Sequence, residues 1–130
     1  MGDRANVMVV QDWGNTDPVY LYSHWGGSVL PLDVQKALAR RVRWGDGSYL
    51  TRIIFDQMTD GVQGEETGFG IATYRPDNEY PIIKVDPKAR TVSFHAEGSE
   101  QNHEDNPIAS WTFEKYVGLS EFEIEKKWRE

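Results

Sequence analysis

Residues 19–25, Val-Tyr-Leu-Tyr-Ser-His-Trp, constrain the fold most. In an extended chain successive side chains alternate between faces. Val19, Leu21, Ser23 and Trp25 then share one face, and Tyr20, Tyr22 and His24 share the other. Both faces carry large aromatic groups, so this is a central strand, covered on one side and lining something on the other. Residues 5–11 read as a buried strand, and Gly14-Asn15-Thr16-Asp17-Pro18 is dense in turn formers, which joins the two as a hairpin. In such a hairpin the start of the first strand lies opposite the end of the second. Arg4 and Asn6 are therefore predicted to approach His24 and Trp25 rather than Tyr20.

The rest of the chain reads as helices, then strands. Gly26-Gly27-Ser28 breaks the second strand. Pro31 opens a helix predicted to run to about Arg43, with Val34, Ala37, Leu38 and Val42 facing the core and Lys36, Arg40 and Arg43 forming a basic stripe. Gly45 to Ser48 is a stop and a cap, and a second helix covers 49–58. Residues 60–66 are a polar loop. Strands are predicted at 67–74, 80–86, 90–95 and 108–113, with a terminal helix at 119–129 capped by Ser120. Residues 97–106 hold no large apolar side chain and read as a mobile acidic loop. The sum is one α+β domain over residues 1–130: a mostly antiparallel sheet, two helices on one face and a short C-terminal helix.

Length and composition narrow the function. At 130 residues the chain is the size of one domain, and its 12% aromatic content suits a folded protein. Acidic residues outnumber basic ones, 21 to 14, and the net charge of −7 speaks against binding a nucleic-acid polymer. The absence of Cys removes disulfide, thiolate and Cys-zinc chemistry. No apolar run approaches a membrane span and the N-terminus lacks an apolar signal segment, so a cytoplasmic protein with no membrane association is expected.

Candidate site residues cluster at strand ends. His24, Trp25 and Gly26 end the second strand, where imidazole and indole adjoin a glycine pair that lets a ligand near the backbone. Arg4 is a cation for phosphate or carboxylate, or else a terminal surface arginine. Arg40, Arg41, Arg43 and Arg52 are a basic island in an acidic chain, able to bind phosphate or to serve as a solvated helix face. Phe69, between Gly68 and Gly70, offers a stacking ring or close backbone packing; a dinucleotide fingerprint is absent. Asp77, Asn78 and Glu79 form a polar turn able to read a base edge or a ribose. His24, His95 and His103 lack metal-ligand spacing, and no hydrolase, metalloprotease or phosphate-loop motif occurs.

Several segments, Met-Gly-Asp-Arg-Ala-Asn-Val (1–7), Tyr-Leu-Tyr-Ser-His-Trp-Gly-Gly (20–27), Glu-Thr-Gly-Phe-Gly-Ile (66–71) and Asp-Asn-Glu-Tyr-Pro (77–81), together with 49–55, resemble a family of small proteins of tailed phages and bacteria. The likeness spans most of residues 1–95. By analogy of class it implies an accessory role, such as counter-defence by a compact, often oligomeric sponge that sequesters a cyclic nucleotide or cyclic ADP-ribose signal in the host cytoplasm, with no cofactor. In that role Arg4, Arg40, Arg43 or Arg52 binds phosphate, Trp25 or Phe69 stacks on the base, and Asp77 or Asn78 reads an edge or ribose. Two alternatives from other classes are a hydrolase or phosphodiesterase with His24 as general base, and an acidic protein–protein inhibitor of a host factor.

Overall fold

The computed structural model describes residues 2–11, 17–96 and 107–129. Most of the predicted turn at 14–18 and the loop at 97–106, with His103, lie outside the described residues. Six strands, β1 (Ala5–Val9), β2 (Val19–Ser23), β3 (Phe69–Ala72), β4 (Ile82–Asp86), β5 (Thr91–His95) and β6 (Ala109–Thr112), form one sheet in the order β3-β2-β1-β4-β5-β6. The helices are α1 (Leu30–Ala39), α2 (Gly47–Met58), α3 (Phe113–Val117) and α4 (Glu121–Trp128). The α+β class, the mostly antiparallel sheet and the short terminal helix agree with the sequence reading. Among the described strands only β1 and β4 run parallel.

Every residue of β1 is buried, as a central strand requires. On one sheet face Val7, Val9, Leu21, Ile83, Val85 and Phe94 pack under the apolar sides of all four helices in a continuous core. Full burial of each such side chain stabilises the fold by about 1.5–3 kcal/mol. On the opposite face Asn6 and Met8 sit across from Tyr22 and Tyr20, with Met8, Tyr20 and Ile82 forming a second, smaller apolar cluster. The register sets Ala5 opposite Ser23, and the Asp3 amide donates to the His24 carbonyl at 2.7 Å, so the start of β1 lies at the end of β2.

Three predicted elements need correction. The helix expected to reach Arg43 stops at Ala39, and Arg41 and Arg43 hold left-handed φ of 56° and 58°. The Trp44 indole turns back to donate to the Leu38 carbonyl at 2.9 Å, adding to the bond that this carbonyl accepts from the Arg41 amide at 3.0 Å. The stripe of Lys36, Arg40 and Arg43 therefore does not form, and Val42, expected in the core, is exposed. Second, the last strand ends at Thr112, whose side chain caps α3 by accepting from the Lys115 amide. This short helix buries Phe113 and Tyr116, and the Tyr116 hydroxyl donates to the Pro31 carbonyl at 2.8 Å. Third, α2 begins at Gly47, with Asp46 as its cap.

Candidate functional site

The N-terminal residues hold three other segments together. Asp3 accepts from the Ser28 amide at 2.9 Å and from the Tyr80 hydroxyl at 2.5 Å. Its backbone carbonyl accepts from the Gly27 amide at 2.7 Å. Burial pushes the Asp3 carboxyl up, but the bonds from Tyr80 and Ser28 outweigh it and hold its pKa below the ordinary value. The same bond, to Asp3, pushes the Tyr80 hydroxyl up to about 12.

Arg4 pairs by side chain with Asp77 and Glu79, each at 3.4 Å, and its backbone amide donates to the Glu79 carboxylate at 2.7 Å. That backbone bond is the leading cause of the lowered Glu79 pKa. Asn6 is fully buried, and its Nδ2 faces three acceptors: the Pro76 and Asp77 carbonyls at 3.2 Å and Asn78 Oδ1 at 3.1 Å. Those contacts fix the orientation of the amide and leave Asn6 Oδ1 buried without a partner. Asn78 in turn donates from Nδ2 to the Tyr80 carbonyl. The polar turn Asp77-Asn78-Glu79 is thus clamped over the open end of β1.

Tyr22 and His24 share the same sheet face as Asn6. The Tyr22 hydroxyl meets His24 Nδ1 at 2.7 Å. Burial raises the Tyr22 pKa, and the charge of Arg4, which acts to lower it, is near enough to be felt. The Tyr22 hydroxyl can donate to a bare Nδ1 or accept from Nδ1–H, so the pair couples the His24 tautomer to the Tyr22 hydroxyl. The Trp25 ring meets His24 edge-on at 4.9 Å and stays 59% exposed. Gly68, at φ +100°, lets it settle: a Cβ there would stand 2.9 Å from the indole.

The sequence-derived candidates divide into two groups. Arg4, Asn6, Asp77 and Asn78 are brought together, with His24 and Trp25 on the adjoining end of β2. Arg40, Arg43 and Arg52 are held elsewhere: Arg40 by Gln57 at 2.8 Å, Arg43 over the Tyr49 ring at 4.8 Å, and Arg52 by Asp56 at 2.9 Å. They belong to α2 and to the connection before it, and do not join Arg4 in one basic pocket. Phe69 sits opposite Ser23 on the helix-covered face, edge-on to Phe55, so it cannot stack beside Asn6. The glycine pair does not open a path to the backbone: a Cβ at Gly27 would lie 2.5 Å from the Asp3 carbonyl oxygen, and one at Gly26 2.9 Å from Ser23 Oγ. Asp3, Tyr22 and Tyr80 were missed by sequence reasoning. Only their place inside the quoted motifs signalled them.

The chain has no match among protein-family models, curated proteins or solved structures. No helix of the described residues is long and apolar enough to cross a membrane.

Proposed function

We propose that this chain is a binding protein for a small anionic nucleotide derivative of the cyclic nucleotide or cyclic ADP-ribose type, acting as a phage counter-defence sponge in the host cytoplasm, as a homo-oligomer. The observation that carries the reading is the convergence of the four quoted motifs on one end of the sheet. There Arg4, the Tyr22–His24 pair and the exposed Trp25 adjoin, beside the buried Asn6 that holds the 76–78 segment. They supply three elements of nucleotide recognition: a cation for phosphate, an imidazole able to hydrogen-bond and an aromatic platform. Stacking contributes about 1–3 kcal/mol per base, and a charge-assisted bond about 1.5–3 kcal/mol.

Arg4 is suited to exchange partners. Its side-chain contacts to Asp77 and Glu79 at 3.4 Å are longer than the roughly 2.7–2.9 Å of a strong charge-assisted bond. Asp77 is 81% exposed and can swing away when a phosphate takes its place. The test incubates purified protein with cyclic dinucleotides and cyclic ADP-ribose isomers, removes free ligand, heat-denatures the complex and chromatographs what is released. Intact ligand supports the sponge. Degraded ligand turns the case to a hydrolase. No ligand from either class refutes the reading.

A further inference from the structure

The basic island that the Arg4 site leaves aside has its own structure. Among the described residues, the only non-glycine residues with left-handed φ are three arginines: Arg41, Arg43 and Arg90, at 56°, 58° and 58°. L-residues other than Asn and Asp are disfavoured in that region, and at the position after a helix cap, where Arg41 stands, glycine is the usual occupant. All three lie at one corner. Arg41 holds Glu114 at 2.6 Å and stands over the Trp44 ring at 5.3 Å. Trp44 packs edge-on against Phe113, whose amide donates to the Arg90 carbonyl at 2.8 Å. The Arg90 guanidinium reaches Gly45, where an added Cβ would meet Nη2 at 3.3 Å. The Arg43 guanidinium stands over the Tyr49 ring, and both residues are exposed, as is Val42 between the arginines.

Three arginines in an uncommon backbone conformation at one corner point to a use for their side chains. We propose that this corner is a docking surface for a protein partner that presents clustered carboxylates beside one apolar side chain. Arg43 and Arg90 take the carboxylates, as Arg41 already takes Glu114, and Val42 and Tyr49 supply the apolar contact. Charge complementarity selects the partner's chemistry, and exposed Arg and Tyr beside an apolar residue is the composition of an interface centre. A nucleic-acid polymer fits less well. It would extend past the corner over the rest of a chain with net charge −7, whereas a compact acidic patch feels only charges within the roughly 8 Å screening length at physiological salt.

The test measures fluorescence anisotropy with a labelled peptide of repeating Glu-Glu-Leu, and with a single-stranded oligonucleotide of equal charge. The full chain is expected to bind the peptide more tightly than the oligonucleotide. The double variant Arg43→Gly/Arg90→Gly is expected to weaken peptide binding by about tenfold or more, with a melting temperature no lower than wild type, because glycine suits the left-handed backbone. Arg43→Asn/Arg90→Asn serves as a second version, and Lys126→Ala, on α4, should leave the affinity unchanged. The proposal is overturned if the peptide fails to bind, if the double variants bind as wild type does, if Lys126→Ala is equally damaging, or if the oligonucleotide binds better. A fall in melting temperature in both double variants also overturns it, since the arginines would then serve stability.

Discussion

The indole Nε1 of Trp128 donates to the carbonyl of Gly27 at 2.9 Å, tying the last helix to the turn that ends β2. The same ring stacks on Tyr80 at 5.1 Å with planes 2° apart, and Tyr80 holds Asp3. The terminal helix therefore supports the candidate site from beneath. Replacing Trp128 by Ala should destabilise the fold by about 3–5 kcal/mol, the usual cost of removing a large buried aromatic. Trp128→Phe keeps most of the packing and loses the indole bond, while the Gly27 carbonyl still accepts from the Leu30 amide, so the cost is about 0.5–1.5 kcal/mol. Urea unfolding of both variants checks the order. An unchanged midpoint in Trp128→Phe would mean that the hydrogen bond contributes nothing, and equal losses that the retained ring packing contributes nothing.

Asn6 tests whether the 76–80 segment is fixed by one side chain. Asn6→Asp replaces an amide donor with an oxygen that faces three oxygen acceptors, and a buried carboxylate without a donor is costly. A loss of about 3 kcal/mol or more is expected, with faster hydrogen exchange at the Glu79 amide, which in the native fold donates to the Arg4 carbonyl at 2.8 Å. Unchanged exchange there would show that the Arg4 and Asp3 contacts hold the segment without Asn6.

Asp33 gives the fold an alkaline liability. It stands in the first turn of α1, and burial raises its pKa from 3.8 to about 6 despite the opposing charge of Lys36. An acid whose folded pKa exceeds its unfolded one binds protons more tightly when folded. The resulting stability is complete below about pH 3.8 and is lost as pH rises through about 6. At about 1.4 kcal/mol per unit, reduced for partial exposure, the loss is on the order of 2 kcal/mol. Asp33→Asn should remove this dependence and stabilise the protein at neutral pH, as read from urea midpoints between about pH 4 and 8. Asp3 works in the other sense: its lowered pKa gives stability that is present above the unfolded value and lost on acidification. The Asp3→Asn variant should flatten the acid side of the same profile.

The elements that were legible in the sequence are those whose reasons are local. Alternation in 19–25 marked a central strand, and antiparallel pairing alone placed the start of β1 at the end of β2, where Asp3 meets His24. Ser120, read as a cap, does cap α4, and the structure adds the reciprocal bond from Glu123 that completes a capping box. What was not legible depends on partners far along the chain. The end of α1 is set by Trp44 and Phe113, and the helical turn at 113–117 by Gln35, whose amide donates to the carbonyls of Tyr116 and Leu119 at 3.0 and 2.7 Å. Gly27 reads as an opening for a ligand until Asp3 and Tyr80 fill the space beside it. Arg40 and Arg43 read as a helical stripe until the left-handed turn separates them.

The candidate site itself is tested by Trp25 and Arg4, because the two side chains differ in what else they do. Trp25 is mostly exposed, contacts His24 and Gly68, and lies outside the main core. Trp25→Ala should therefore abolish nucleotide capture with little change in melting temperature. Arg4 both faces the site and holds the 77–79 turn, but its side-chain pairs are partly exposed and long, so they contribute little to stability. Arg4→Ala should remove capture at a small cost in stability, and Arg4→Lys should restore the turn but not bidentate phosphate binding. Asp77→Asn, which frees half of the Arg4 pairing, should strengthen capture instead. Isothermal titration with the nucleotide recovered from the heat-release experiment reads all four variants. Full binding by both alanine variants would move the site away from this end of the sheet.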